Sequence, residues 1–545
     1  MRRQVRPALT VLACLLLSLA AAGQPSDSTS RWGSLRAAIE SNSAIYIDDP
    51  VLGPAPGRWG SNNYVKLDWQ RDSLAAGLQA EWYPQALAGY PSELKGAGLT
   101  GLYVDWRHKG LQLRAGSFHE QLGSGLLLRS WEDRELGLNN AITGGLASFH
   151  TGGRELEARV FGGFPKYGLW PSWQNAVAGA DVALDLLPLF GAASAHSLWL
   201  AGSVTDRFSR SVEDGIALLA GAGGFEVPTH VPGASARLAY AWEGFSLKAE
   251  YVWKGQDFYT ELLPKSAETY RLKGGNAQIV EAGAAVGPFS GTITLRRLEN
   301  MSYRIFNTVS AASPANTLNY LPSLCMQQTY MLAGLNPYVT YADGEAGLQG
   351  DLFWTFRRGT ALGGRYGMKL HVAGSWIEAL PFALPDRDTH WLAYRDINID
   401  LERRWSKAFR TVFFVSIQEN SPTHGNRKAT NAQNVFVLDG QYKFSPVAAL
   451  RVELQYLYSQ ELTRDWMAAL AEFSLAPHWS VTVSDMYNHG STGVHYFNVG
   501  ASYSVDSFNV SLMAGRNREG MVCSGGVCRW QPAFSGAVLR IQWSI

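Results

Sequence analysis

After its first two dozen residues the chain has no apolar run long enough to cross a membrane as a helix. The most apolar later stretch, Val182 to Leu200, is interrupted by Asp185, Pro188 and His196, whereas a spanning helix needs about 20 predominantly apolar residues. A helical membrane protein is therefore excluded. Charge is also scarce. Only 17% of residues are charged, against about 25% in ordinary soluble domains. The 47 basic and 46 acidic residues leave a net charge of +1, so no strong field points to nucleic acid or to a polybasic membrane patch. Cysteine is nearly missing, with four residues and no C-x-x-C spacing to mark a metal site. What the chain does have is 56 glycines and 12% aromatic residues. With so little charge, something other than water must accept much of its surface.

The N-terminus gives the first positive signal. Arg2, Arg3 and Arg6 precede an apolar run from Ala8 to Leu19, followed by Ala20, Ala21, Ala22 and Gly23. This is the pattern of a signal peptide over residues 1–23, with mature protein expected from Gln24. Cys14 lies inside the apolar run, which continues past it, so it reads as part of that run rather than as an acylation site.

Beyond the leader the dominant pattern has a period of two. Leu450, Val452, Leu454, Tyr456 and Tyr458 alternate with Arg451, Glu453, Gln455 and Ser459. Phe245, Leu247, Ala249, Tyr251 and Trp253 alternate with Ser246, Lys248 and Glu250. The same code appears around Val65 to Gln70, Leu74 to Trp82, Tyr366 to Val372 and Ile397 to Glu402. Each reads as a strand with one apolar and one polar face. The segments run to about ten residues and often end in Trp or Tyr, which suits a tilted strand crossing hydrocarbon between aromatic girdles. Strands of soluble sandwiches average only about five or six residues.

A sheet in lipid must close on itself to satisfy its edge groups. The expected fold is therefore all-β, a large transmembrane antiparallel barrel over residues 24–545, with about 20 strands and an accepted range of 18 to 24. The last residues alternate as well, with Ala537, Leu539, Ile541, Trp543 and Ile545 against Arg540, Gln542 and Ser544. Such a segment is expected to close the barrel and to be read by the outer-membrane insertion machinery, although it ends in Ile rather than the usual Phe.

Two stretches break the hairpin rhythm. From Glu120 to Gly145 the sequence packs Arg129, Glu132, Asp133, Arg134, Glu135, Asn139 and Asn140 behind Gly123-Ser124-Gly125. A loop of that chemistry folded into the lumen would line and constrict a pore; the alternative is a solvated surface loop with self-paired charges. From Asn307 to Asp343 come Pro314, Pro322 and Pro337 with Tyr320, Tyr330, Tyr338 and Tyr341. This suits a sugar-contacting or plug surface, with a plain extracellular loop as the favoured alternative.

No catalytic constellation emerges. Asp386, Asp388 and His390 form D-x-D-x-H without a second cluster, and three donors make a weak metal site. His108, His119 and His150 lie near Ser117, Ser124 and Ser148, but there is no G-x-S-x-G elbow. The run Ala220-Gly221-Ala222-Gly223-Gly224 lacks the context of a phosphate loop. No cofactor is expected.

Ser61-Asn62-Asn63-Tyr64, the block from Glu120 to Ala141 and the terminal Val522-Cys523-Ser524-Gly525-Gly526-Val527-Cys528-Arg529 resemble a family of uncharacterised outer-membrane proteins of Bacteroidota and relatives. Trp131 and Asp133 stand where Tyr and Glu are more typical. The resemblance spans most of the mature chain and implies a bacterial outer-membrane barrel, with no substrate or catalytic residue attached.

Three functions follow in order of preference: a channel or transporter for small solutes, a structural, attachment or secretion-accessory barrel with a plugged lumen, and an outer-membrane enzyme. Expected partners are outer-membrane lipid, the insertion machinery and a small solute. Cys523 and Cys528 are expected to form a disulfide, since the leader delivers them to an oxidising envelope and Ser524-Gly525-Gly526-Val527 can turn tightly. So short a loop gives the bridge about 2 kcal/mol or less. Cys325 is left free.

Overall fold

The computed structural model describes residues 32–545 except 190–194, 211–212, 263–267, 309–312, 381–391, 422–429 and 525–526. The leader and the Asp386, Asp388 and His390 motif lie outside the described residues. Of the 25 strands in the main sheet, Trp170–Pro171 is a two-residue arm on Leu156–Tyr167, and the other 24 form a closed antiparallel ring in chain order. The last strand, Phe534–Ser544, pairs with the first, Ser34–Ile47, from Ala38 opposite Ser544 to Ile47 opposite Ser535. Ala37 and Ile545 then exchange both backbone bonds, at 3.1 and 2.9 Å.

The ring has four strands more than the expected figure of about 20. The sequence pattern undercounts because several strands turn small residues outward. In Asn175–Asp185 the outward row is Ala176, Ala178, Ala180, Val182 and Leu184, too small at most positions to give a Leu or Trp rhythm. Ile142–His150 begins inside the stretch expected as a loop, because Ile142 to Gly145 pair with Ala115 to Phe118 on one side and Gly162 to Pro165 on the other. The first break thus covers residues 119–141. The second begins at Asn300, just after strand Phe289–Glu299.

The two ends of the ring differ. At the end where Ser34 and Ser544 lie, five hairpins turn in two residues, with positive φ at Asp72, Lys109, Glu243, Gly287 and Asp506. A positive first turn residue is what two-residue hairpins need to match strand twist. The opposite end carries the long connections, among them 119–141, 300–343 and 518–533. In bacterial barrels the short-turn end is periplasmic and the long loops are external.

Polarity across the wall is the reverse of a soluble protein's. In strand Ala448–Tyr458, Val452 and Leu454 are 38% and 52% exposed, whereas Glu453 and Gln455 are 4% and 5% exposed. Apolar residues line the outside around the whole ring, including Leu102, Val204, Ile293, Ile397, Phe413, Leu438 and Val499. Aromatic pairs on adjacent strands mark the short-turn end: Trp242 with Phe245, Phe289 with Trp354, Phe409 with Tyr442 and Trp479 with Tyr503. Trp59, Trp82, Trp376 and Tyr458 stand exposed towards the other end. An apolar belt between two aromatic rings is a surface that hydrocarbon accepts and water does not.

Placing a cation in that belt tests the assignment. Leu454→Arg is expected to lower unfolding stability in lipid vesicles by about 2–4 kcal/mol, while Val51→Arg, in an exposed loop, changes it by less than about 0.5 kcal/mol. Urea titration of both variants gives the comparison, and equal small effects would contradict a lipid-facing wall.

A lumen closed by two inward loops

Residues 119–141 fold as two miniature hairpins, Gln121–Leu122 with Leu128–Arg129 and Glu132–Asp133 with Leu138–Asn139. The first turns at Gly123, where φ is +56° and a Cβ would lie 2.3 Å from the Glu250 carboxylate. Glycine takes that conformation without strain and leaves room for the carboxylate. The second is held by Asp133, whose Oδ1 accepts the N–H groups of Glu135 and Leu136 at 3.0 and 3.1 Å, a local carboxylate turn. Leu122, Leu126, Leu127, Leu128, Leu136 and Leu138 are each 1% exposed or less. The first four cluster with Val252, Ala277 and Leu298, inward-facing residues of the wall. The block therefore crosses the lumen.

Its charged residues anchor it. Arg134 reaches Glu40 on the first strand at 2.6 Å and Glu132 at 3.0 Å, and lies 4.4 Å above the Tyr64 ring. Glu132 also accepts from Gln79 Nε2 at 2.8 Å. Asn139 Nδ2 donates to Glu81 at 3.3 Å, and buried Lys166 donates to the same carboxylate at 2.7 Å. Arg129 stacks on Tyr320 at 4.1 Å and on Trp131 at 5.1 Å. Asn140, fully buried, accepts the Trp131 N–H at 2.6 Å and donates to the Thr317 carbonyl at 2.6 Å. Glu135 is the exception: its carboxylate is largely exposed and, among the described residues, is paired only with Arg540, at 3.9 Å.

Thr317 and Tyr320 belong to the second inward segment, 300–343. The two segments share backbone bonds, from Arg129 N to Leu318 O at 2.8 Å and from Tyr320 N to Gly125 O at 2.9 Å. Asn319 joins them again by donating to Leu126 O and Met301 O. Further along, Tyr330, Leu332, Ala333 and Leu335 pack on Phe414, Val435, Val437, Leu457 and Trp466 of the opposite wall. Tyr338 packs on Tyr394 with ring centroids 5.0 Å apart, and Tyr341 gives its N–H to Glu345. Wall side chains satisfy the segment's backbone: Lys254 donates to Ser302 O, Gln418 donates to Ala333 O, Gln455 accepts from Leu332 N, and Arg296 donates to Pro322 O. A segment without ladder partners needs such groups when it leaves water.

The filling occupies one half of the lumen. Along strand Leu392–Arg404, the inward Tyr394, Asp396 and Asn398 are 2%, 3% and 0% exposed, whereas the side chains of Asp400 and Glu402 are 26% and 28% exposed. The short-turn half is thus an open cup and the long-loop half is filled.

Where the block meets the seam of the first and last strands, a cavity of about 190 Å³ remains. Arg134 and Glu135 line it, with Glu40, Tyr90, Arg529 and Arg540. Of the seven charged and amide residues singled out in the block, all but Glu135 are engaged within it, with the second segment or against the wall. The sequence reading missed the leucines that anchor the block, whose only signal was an apolar run, Leu126 to Leu128, inside a break in strand pattern. It also missed Arg529, Arg540, Tyr90 and Glu40, which no local motif connects.

Arg529 sits on a hairpin of Gly520–Ser524 with Val527–Gln531, in which Cys523 and Cys528 stand opposite and are bonded to each other. Cys325 is unbonded, packed beside Leu324, Tyr338 and Ile377, and burial pushes its thiol up to about 12.

A sequence profile of a family of unknown function, DUF6029, matches residues 5–545. No curated protein matches the chain. Among solved structures, the copper transporter OprC has a TM-score of 0.42 at 8% identity, with 95% of this chain and 82% of that chain covered. The outer membrane transporter YddB from Escherichia coli has 0.40 at 8% identity, covering 95% and 81%. The siderophore receptor PirA from Pseudomonas aeruginosa has 0.38 at 10% identity, covering 94% and 80%.

Two outcomes follow from this geometry. Asn140→Ala strips a buried N–H and a buried carbonyl of their partner, at a cost of about 1–3 kcal/mol, so the amides of Trp131 and Tyr320 should exchange faster while those of the wall do not. Unchanged exchange would mean that the two segments do not depend on this joint. Burial holds the Cys325 thiol protonated and shielded, and the thiolate is the reactive form, so at pH 8 the folded barrel should take up no iodoacetamide. Unfolded without reductant, mature protein that lacks Cys14 should take one label by intact mass; three labels would rule the disulfide out.

Proposed function

The chain belongs to this family of unknown function, and we propose that it is a bacterial outer-membrane channel or transporter for small solutes, closed at rest by its own loops. The observation that carries the reading is the asymmetric lumen, a polar cup open at the short-turn end and a filled half at the long-loop end. The lumen here is lined by groups such as Asp351, Asp400, Glu402, Arg410 and Arg451, partly exposed towards the cup. In this reading residues 119–141 set the pore radius. Arg134 and Glu135 face the residual path at the seam, and Arg129, Glu132, Asp133, Asn139 and Asn140 hold the block in place.

The filled half also favours a second reading, a structural or secretion-accessory barrel whose external loops bind a partner. Planar-bilayer recording of the intact chain against a deletion of residues 127–138 separates the two. The deletion removes Leu127, Leu128, Leu136 and Leu138 together with the Arg134 anchor, so a channel should change from small or intermittent current to a large, steady conductance with altered ion selectivity. A folded, inserted deletion variant with unchanged current and selectivity would overturn the channel reading in favour of the second.

A further inference from the structure

The seam cavity holds positive charge that its own residues do not balance. Arg529 is 7% exposed and lies 4.1 Å above the Tyr90 ring. Its Nε donates to the Glu135 backbone carbonyl at 2.7 Å and its Nη2 to the Gln531 side chain at 3.3 Å. Both acceptors are neutral. Its Nη1 has no hydrogen-bond partner among the described residues. Arg540 also lines the cavity and is only loosely met by Glu135, both side chains being more than half exposed, a geometry worth little. Arg134, the third guanidinium, is already matched by Glu40 and Glu132. Arg529 and Arg540 thus present two positive charges against the one weakly engaged carboxylate of Glu135.

A buried guanidinium without a counter-charge is costly, and removing its partner rather than the pair is what costs most. The planar fork is suited to the paired oxygens of a carboxylate or phosphate. We propose that the seam cavity is a binding site for a small oxyanion, a carboxylate or phosphate group held by Arg529 and Arg540, and that such anions are the solute class this barrel admits. The cavity's size restricts the ligand to a few heavy atoms beyond the anionic group. Its remaining lining combines the amides of Asn42, Asn517 and Gln542 with Ala44, Met513 and Val538. The disulfide belongs to the same device. Val522 stands opposite Arg529, one pair along from Cys523 and Cys528, so the bridge fixes the strand that aims the guanidinium.

The statement about solute class rests on the channel reading; the binding site does not. Isothermal titration of the full chain in detergent micelles at low ionic strength, with inorganic phosphate and acetate as separate probes, measures it without conduction. One saturable site per chain is expected. Arg529→Gln should weaken binding at least tenfold, Arg540→Gln should weaken it less, and Arg107→Gln, outside the cavity, should leave it unchanged. Heat-modifiable migration on gels confirms that each variant is folded, and Arg540→Gln keeps the test decisive if Arg529→Gln does not fold. Phosphate alone, acetate alone or both identify the preferred head group. No saturable binding of either probe, or equal binding in all variants, would overturn the site. Binding with unchanged conductance in the residue 127–138 deletion would retain the site and remove the transport reading.

Discussion

Every other feature of this molecule depends on one constraint, that backbone N–H and C=O groups in hydrocarbon have no water to turn to. A sheet meets it only by having no edge, and the pairing of Phe534–Ser544 with Ser34–Ile47 removes the last two edges. Closure then fixes the side chains. With a period of two, each residue along a strand faces either lipid or lumen, and one slip of register would put Glu453 and Gln455 where Val452 and Leu454 now stand. The sparse charge and plentiful aromatics of the sequence follow directly.

Closure of 24 strands also encloses more space than side chains can fill. The chain fills half of it with its own loops. Leaving water for a lumen deprives irregular backbone of hydrogen bonds, and the solution here is repeated at many points: an amide or cation on the wall meets a carbonyl on the loop, as Lys254 does for Ser302 and Gln418 for Ala333. Asn140 and Asn319 do the same between the loops. Apolar anchoring and polar satisfaction are both needed. The leucines supply the burial energy, roughly 1.5–3 kcal/mol for each fully buried side chain, and the polar contacts prevent that gain from being cancelled by orphaned backbone.

The wall was legible in the sequence because lipid imposes a local code. Rows such as Leu450 to Tyr458 and Ala537 to Ile545 carry their own evidence. The number of strands was less legible, since Ala178 and Ala180 are tolerated on the outward face without announcing it. The lumen was hardly legible at all. Arg129 to Asn140 stood out as charged, but whether those charges face water or a wall depends on Glu40, Gln79 and Glu81, which are remote in sequence. Arg529 is 394 positions from the residue whose carbonyl it binds. The resemblance at family level implied an outer-membrane location and nothing about these contacts.

The anchoring of the first loop is uneven, and that unevenness bears on how a closed lumen opens. On its far side the block is held by Leu126, Leu127 and Leu128 against Val252, Ala277 and Leu298, contacts that have no substitute in water. Towards the first three strands the wall offers half-buried Glu40 and Gln79, whose bonds water can replace, and buried Glu81. Salt and water weaken the second kind of contact and leave the first intact. At the end carrying Arg134 and Glu135 these polar contacts act beside buried Leu136 and Leu138, so salt and water loosen that end only in part. It is also the end that borders the seam cavity, so the smallest displacement that widens the lumen is one that extends a space already present.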